Sequence, residues 1–432
     1  MTGGLLQLAA YGAQDIYLTG NPQITYFIGV YKRYTNFSIE SIPQYFTGNT
    51  NFGQKVFCKI DRIGDLVNQM FLRMDLPDIS EYNYLDENGE IVEFFWINSV
   101  GHAIIKIIEI EIGGTVIDRQ YGLWMEIWTD LIIPVDKRPG FYQMIGKTDS
   151  PVNLTNNRSL ELYVPLHFWF CRNIGASLPL IALQSHEVRI NITFRKYEEL
   201  IISSTGNLLP TTKPPPSIVQ TFLDVDYIFL EDQERKRFAH NTHQYLIDQI
   251  QVQALSLSTT PPPNSSYQGV KPNINVEHNV VLDFNHPVKE VIWVLQNSTV
   301  LSMYPYGGNE WFNFSTQSYK NGEINGKDTI VNGKFILEGQ DLTNMKPSKF
   351  FRLVVPYQRH TCIPNNFIYV YSFALKPEEF QPSGTCNFSR IDNQILYLRV
   401  SAELVDPIIT IFAVNYNILN IAGGMAGVEY SS

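Results

Sequence analysis

The sequence predicts an all-β protein made of two tandem eight-stranded sandwiches, with long loops and a few short helices. Three observations carry this. Apolar residues alternate with a period of two in segments of both halves. The punctuation between these segments is Gly-Gly, Asn-Gly or Pro-rich. The chain, at 432 residues, is too long for one ordinary core. A cut near residue 215 leaves two pieces of about 200 residues, each rich enough in strand signals for one sandwich.

The clearest strand is EVRINITF, Glu187 to Phe194. Val188, Ile190, Ile192 and Phe194 share one face, and Glu187, Arg189, Asn191 and Thr193 share the other. Ile108, Ile110 and Ile112 alternate with Glu109 and Glu111. Gly113-Gly114 then supplies a two-residue turn, and Thr115 to Ile117 begins the return strand of a hairpin. In the second half, NFIYVYSF places Phe367, Tyr369, Tyr371 and Phe373 on one side, and the segments starting at Ile395 and Ile408 read as further strands. Helical spacing is sparse. Trp124, Ile127, Trp128 and Leu131 share a face, and a second short helix is expected from Glu231 to Phe238.

Three stretches read as loops: Ser203 to Ser217, with a triple proline and the best domain boundary; Ser258 to Asn275, with a second triple proline; and Tyr304 to Gly333, rich in Gly, Asn and Tyr. The resulting division is an N-terminal arm over 1–25, a first domain over 26–215 and a second over 216–432. The stretch from Tyr11 to Phe37, which runs from the arm into the first domain, lacks a helical period, being interrupted by Gly12, Gly20 and Pro22, yet it carries Tyr11, Tyr17, Tyr26 and Phe27. Such a segment cannot build a core of its own and must pack on its parent domain or on a neighbouring subunit.

Composition narrows the function classes. Hydrophobic residues make up 44% and charged residues 17%, which fits a packed globular chain, and 13% aromatics fits extensive sheet or interface. Thirty-two basic against 42 acidic residues give a net charge of -10, with no basic run able to track phosphates, so direct nucleic-acid binding is not expected. The four cysteines, Cys58, Cys171, Cys362 and Cys386, form no CxxC pair and read as reduced, buried thiols. No secretory n-region and no long apolar run is found, so neither a standard signal nor a membrane span is expected. Eight Asn-x-Ser/Thr sequons, at Asn36, Asn153, Asn157, Asn191, Asn264, Asn297, Asn313 and Asn387, read as chance occurrences in an Asn-rich chain.

Five separated segments carry a family resemblance. They are YGAQDIYLTGNPQITYFIGVYKRYTNF (Tyr11 to Phe37), Pro165 to Ile190, His278 to Gln296, Phe373 to Asn393, and Tyr416 to Ser432. In this order they resemble the major capsid proteins of nucleocytoplasmic large double-stranded DNA viruses, those of algal chloroviruses among them. The resemblance implies a double jelly roll, a homotrimer with the outline of a pseudo-hexameric capsomer, and tiling of an icosahedral shell with neighbouring trimers. It further implies a late structural protein of the virion, assembled in the host cytoplasm, that contacts minor capsid proteins and the internal viral membrane. It implies no enzyme activity and no cofactor. The arm, with Tyr11, Asp15, Tyr17, Asn21, Tyr26 and Phe27, is then the expected assembly element.

Sharper chemistry finds little support. His240 and His243 form an HxxH pair without the HExxH pattern of a zinc protease, so no metal site is expected. His360 and Cys362 are near in sequence, but a buried structural cysteine is the ordinary case, so no catalytic residue is assigned. The glycines from Gly423 to Gly427 lack phosphate-loop spacing and read as a flexible tail. The competing classes are a carbohydrate-binding or carbohydrate-cleaving two-domain sandwich and a cell-surface attachment protein on the same fold.

Overall fold

The computed structural model describes residues 3–15, 19–21, 25–27, 29, 35–148, 158–204, 213–258, 275–301, 308–318 and 326–430. Met1–Phe37 forms one compact unit and Ser38–Ser432 another.

The large unit contains two copies of one sheet topology. In the first barrel the strands are β1 (Phe37–Tyr45), β2 (Lys55–Lys59), β3 (Leu66–Leu76), β4 (Ile105–Ile112), β5 (Thr115–Gln120), β6 (Leu160–Pro165), β7 (Val188–Phe194) and β8 (Gln220–Leu230). One sheet runs β1-β8-β3-β6 and the other β2-β7-β4-β5. The second barrel has β9 (His243–Ser256), β10 (Val276–Val281), β11 (Pro287–Gln296), β12 (Ile330–Leu337), β13 (Gln340–Asp341), β14 (Tyr369–Ser372), β15 (Gln394–Val400) and β16 (Ile408–Ala422). Its sheets run β9-β16-β11-β14 and β10-β15-β12-β13. Both barrels thus pair first strand to eighth, eighth to third and third to sixth on one sheet, and second, seventh, fourth and fifth on the other. This is the double Greek key of a jelly roll, and the fold is a double jelly roll.

The local reasons were visible in the residues. Strand β7 alternates buried and half-buried residues throughout. Ile112 pairs with Thr115 across Gly113 and Gly114, whose φ values of 60° and 87° are those a two-residue primed turn demands. In the first core Met70, Leu72 and Met74 of β3 meet Ile108 and Ile110 of β4 and Ile190 and Ile192 of β7. The second core is built on Trp293, which makes edge contacts with Phe335 at 5.7 Å and Phe351 at 5.2 Å. Phe367, Tyr369, Tyr371 and Phe373 all pack on this core, as the alternation required.

Three expectations are corrected. A boundary near 215 separates β8 from its barrel: Thr221 to Ile228 pair with β3, so the chain changes barrels after Leu230, through a helix at Asp232–His240. A triple proline marks a break in pairing, which here is a loop inside a barrel rather than a boundary between two. The loop expected from Tyr304 to Gly333 ends earlier, because Ile330 to Gly333 already belong to β12. There Gly333 is required, since a Cβ would sit 2.8 Å from Leu398 and 2.9 Å from the Tyr397 carbonyl oxygen. The expected glycine tail is a hairpin: β16 turns at Gly423-Gly424 into β17 (Met425–Val428), and the Gly424 carbonyl accepts a hydrogen bond from Ser185 N at 2.9 Å.

The helix expected from the spacing of Trp124, Ile127, Trp128 and Leu131 is α1 (Gly122–Ile132), between β5 and β6. Its first residue has to be glycine, because a Cβ there would overlap the carbonyl oxygens of His102 and Ile105. Gly122→Ala should therefore displace the start of α1 and lower stability by about 2–4 kcal/mol, read as a fall in the denaturant midpoint at unchanged m.

Candidate functional site: the interbarrel junction and the arm

The outer face of the second barrel's β9-β16-β11-β14 sheet is covered by α1. Trp124, Ile127, Trp128 and Leu131 form one buried cluster with Ile292 and Val294 of β11, Val370 of β14, and Phe412 and Val414 of β16. Trp124 stacks on Trp128 with ring centroids 5.3 Å apart and meets Phe412 at 5.3 Å. β11 and β16 therefore serve two cores at once. Val291, Trp293 and Leu295 point into the barrel, whereas Ile292 and Val294 point into the junction.

Polar contacts fix the junction along its length. Asp248 of the second barrel accepts from Arg172 of the first at 2.8 Å and from Lys289 of its own barrel at 2.9 Å. Burial opposes the Asp248 charge, but the two cations outweigh it and hold its carboxyl below the usual range. Arg172 also lies over the Trp128 ring at 5.2 Å. Asp118 of β5 accepts from Ile250 N at 3.2 Å, and Gln249 donates to the Ile117 carbonyl at 2.5 Å. Trp311 Nε1 donates to the Glu199 carbonyl, Asn309 donates to the Glu198 and Ile201 carbonyls, and Arg195 stacks on Trp311 at 3.8 Å. Cys362 N donates to the Leu131 carbonyl at 2.9 Å, and its thiol to the Ile133 carbonyl at 3.0 Å.

Two buried charge clusters flank this seam. Glu126 of α1 accepts from Lys147 at 2.6 Å and lies 2.6 Å from His102 Nδ1, and Lys147 also reaches Asp130 at 3.1 Å. Asn366 of the second barrel donates to the other Asp130 oxygen at 3.2 Å. Beyond α1, the fully buried His360 ring sits between Glu378, at 2.9 Å from Nδ1, and Glu290, at 3.1 Å from Nε2. Burial alone would lower the His360 pKa. The two carboxylates outweigh burial and raise it to about 9, so the ring is an imidazolium at neutral pH.

The candidate residues named from sequence divide accordingly. His360 and Cys362 do not form a catalytic pair, since each is bound to other groups. His240 and His243 bond to the backbone carbonyls of Lys236 and Phe238, and no cluster able to hold a metal is found among the described residues. All four cysteines are unbridged, and burial pushes the thiols of Cys58 and Cys171 up to about 12. Among the sequons, Asn191 donates to Glu111, Asn297 and Asn313 are buried, and Asn36 and Asn387 are exposed; Asn153, Asn157 and Asn264 lie outside the described residues.

In the arm, a helix at Gly3–Ala9 precedes a tight turn. Asp15 accepts from Gly12 N at 2.7 Å, and its carbonyl accepts from Thr19 Oγ1 at 2.8 Å. The Tyr11 and Thr19 hydroxyls are 2.8 Å apart, and Asn21 adopts a positive φ of 57°. Tyr26 and Phe27 are 93% and 97% exposed, and Tyr17 lies outside the described residues.

Comparison with known proteins identifies the architecture. The family model for the major capsid protein N-terminus matches residues 25–231, and the model for the large eukaryotic DNA virus major capsid protein matches 234–427. The two meet where the chain changes barrels. The major capsid protein of Phaeocystis pouchetii virus is 36% identical, with all of both chains covered. That of Paramecium bursaria Chlorella virus 1 is also 36% identical, again with all of both chains covered. The chain belongs to the major capsid proteins of large eukaryotic DNA viruses. Among solved structures, a chain of the PBCV-1 virus capsid quasi-atomic model superposes with a TM-score of 0.77 at 30% identity, covering 94% of this chain and 100% of that one. The Faustovirus major capsid protein, at 14% identity and a TM-score of 0.73, shares the fold. This major capsid protein is accordingly a structural component of an icosahedral capsid rather than an enzyme.

The sequence signal for the junction lay in the two apolar runs VIWVLQ at Val291 and IITIFAV at Ile408. An unbroken apolar strand is buried on both faces, so its second face needs a cover. Trp128→Ala should cost about 3–5 kcal/mol, measured by denaturant unfolding. For His360 the folded pKa lies above the ordinary 6.5, so its contribution is complete below pH 6.5 and disappears as pH rises through about 9. Stability should fall by about 3 kcal/mol across that window, and His360→Gln should remove the slope while lowering stability at pH 6.

Proposed function

We propose that this major capsid protein assembles as a homotrimer whose six barrels form a pseudo-hexagonal capsomer, and that these capsomers tile the icosahedral shell of a large double-stranded DNA virus. The observation that carries this reading is the repetition of one barrel topology, with the two copies fixed by a shared core. A threefold axis acting on such a pair gives six similar sides, which suits a hexagonal lattice with equivalent neighbours. A mobile pair would present a different outline in each copy and would not tile.

The assembly order follows from interface strength. Contacts inside the trimer have the size of an obligate interface, on the order of several thousand Å², whereas contacts between trimers are smaller and more polar. Weak outer contacts let a misplaced trimer leave. The arm, with Tyr26 and Phe27 uncovered in one chain, supplies apolar surface for minor capsid proteins or for a membrane beneath the shell. Assembly in the host cytoplasm belongs to this same reading.

Light scattering on purified protein should give three times 49.5 kDa, and a mass of one chain at micromolar concentration would contradict the trimer. With a net charge of -10 per chain, trimers repel one another at low ionic strength, so array formation should improve as salt rises towards about 0.15 M. Deleting residues 1–21 should leave the trimer mass unchanged and reduce array formation in electron micrographs. Loss of folding instead would place the arm's role inside its own chain.

A further inference from the structure

The junction inside the chain has two halves, and each barrel owns both. One half is the helix between the fifth and sixth strands, which is α1 in the first barrel. The other is the outer face of the sheet carrying the first, eighth, third and sixth strands. Within the chain, the first barrel's helix covers the second barrel's sheet. The second barrel's helical segment lends Val355 to that same cluster but leaves Tyr357 and Val354 exposed, and the first barrel's sheet leaves Tyr45 exposed.

These two exposed surfaces have the chemistry of an interface. In the second barrel the segment between β13 and β14 contains a π-helical turn at Phe350–Val354 that runs into a short helix at Val355–Arg359. It is anchored below by Phe351 and Val355, while Tyr357 is 77% and Val354 40% exposed. Lys349 and Arg359 border these apolar groups, and neither forms an ion pair among the described residues. On the first barrel's sheet the inward residues alternate with an aromatic outer row. Tyr45 of β1 is 66% exposed and lies 5.9 Å from Phe222 of β8, and Arg73 of β3 spans the rings of Tyr163 and Phe222 at 5.3 and 5.1 Å. Beside this row the face carries two carboxylates. Asp224 and Asp226 follow Phe222 on the same side of β8, and burial raises the Asp224 pKa, opposed by the nearby Arg73 and reinforced by Asp226.

We propose that the Phe350–Arg359 segment of one copy docks on the outer face of the β1-β8-β3-β6 sheet of a second copy, repeating between chains the junction that α1 makes within one. Tyr357 and Val354 pack against the aromatic row, and Lys349 and Arg359 face Asp224 and Asp226. The contact is heterologous, helix on one side and sheet on the other. It closes because each chain turns the ring by two barrels, so three chains complete six. Sequence patterning agrees with this division. β11 and β16 are apolar on both faces because their cover is in the same chain, whereas β3 and β8 are amphipathic because theirs arrives as a separate, soluble molecule.

The inference rests on the trimer reading above, and one set of measurements separates the two. Tyr357→Asp and Tyr45→Asp each change an exposed side chain outside the buried cores. Each should raise the concentration at which light scattering shows half-dissociation of the trimer by about tenfold or more, with an unchanged circular dichroism spectrum. Lys349→Glu should weaken the trimer and Lys349→Glu with Asp224→Lys should restore it. Wild-type protein of single-chain mass would defeat the trimer itself, whereas a wild-type trimer that these variants leave intact would defeat only the proposed surface. Should a variant fail to fold, carbodiimide crosslinking of a mixed light and heavy-isotope wild-type trimer decides the matter. Lys349 should link to Asp224 or Asp226 of the other isotope, and interchain links confined to other surfaces would overturn the assignment.

Discussion

Burying the apolar stripe of α1 on the second barrel's sheet is the constraint on which the rest of the molecule depends. Each jelly roll has its own core and meets the size of an ordinary domain, so nothing in either barrel alone fixes the angle between them. Trp124, Ile127, Trp128 and Leu131 fix it, because their partners Ile292, Val294, Phe412 and Val414 alternate along strands whose other faces build the second core. A shift of the helix across the sheet would expose tryptophan surface and also break the Asp248 cluster, where two cations share one carboxylate.

The buried charges make the same interface specific. An apolar contact alone tolerates sliding, whereas Arg172 and Lys289 meeting at Asp248, and Asn366 reaching Asp130, each require one register. His360 between Glu290 and Glu378 locks the start of the segment that leads from the exposed helix into β14. Rigidity of this kind suits a shell subunit, whose function lies in presenting the same outline in every copy.

Much of this architecture was legible in the residues. The alternation in Val188 to Phe194, the Gly113-Gly114 turn, the spacing in α1 and the aromatic face around Tyr369 each follow from a local rule, and each is found where that rule puts it. What escaped was long-range. The triple proline before β8 looks like a domain boundary because local sequence cannot say that Gln220–Leu230 returns to pair with β3. Gly423-Gly424 resembles a tail for the same reason, since its anchor at Ser185 is far away in sequence. The junction could have been read from the doubly apolar strands, but their partner, α1, could not. In the arm, the aromatics marked a surface in need of a partner and left that partner unspecified.

The α1 core joins the two barrels into one cooperative body. Scanning calorimetry of the purified protein tests it most directly. A single transition, with calorimetric and van't Hoff enthalpies in agreement for the assembled unit, is the predicted result. Two resolved transitions, one for each barrel, would contradict it.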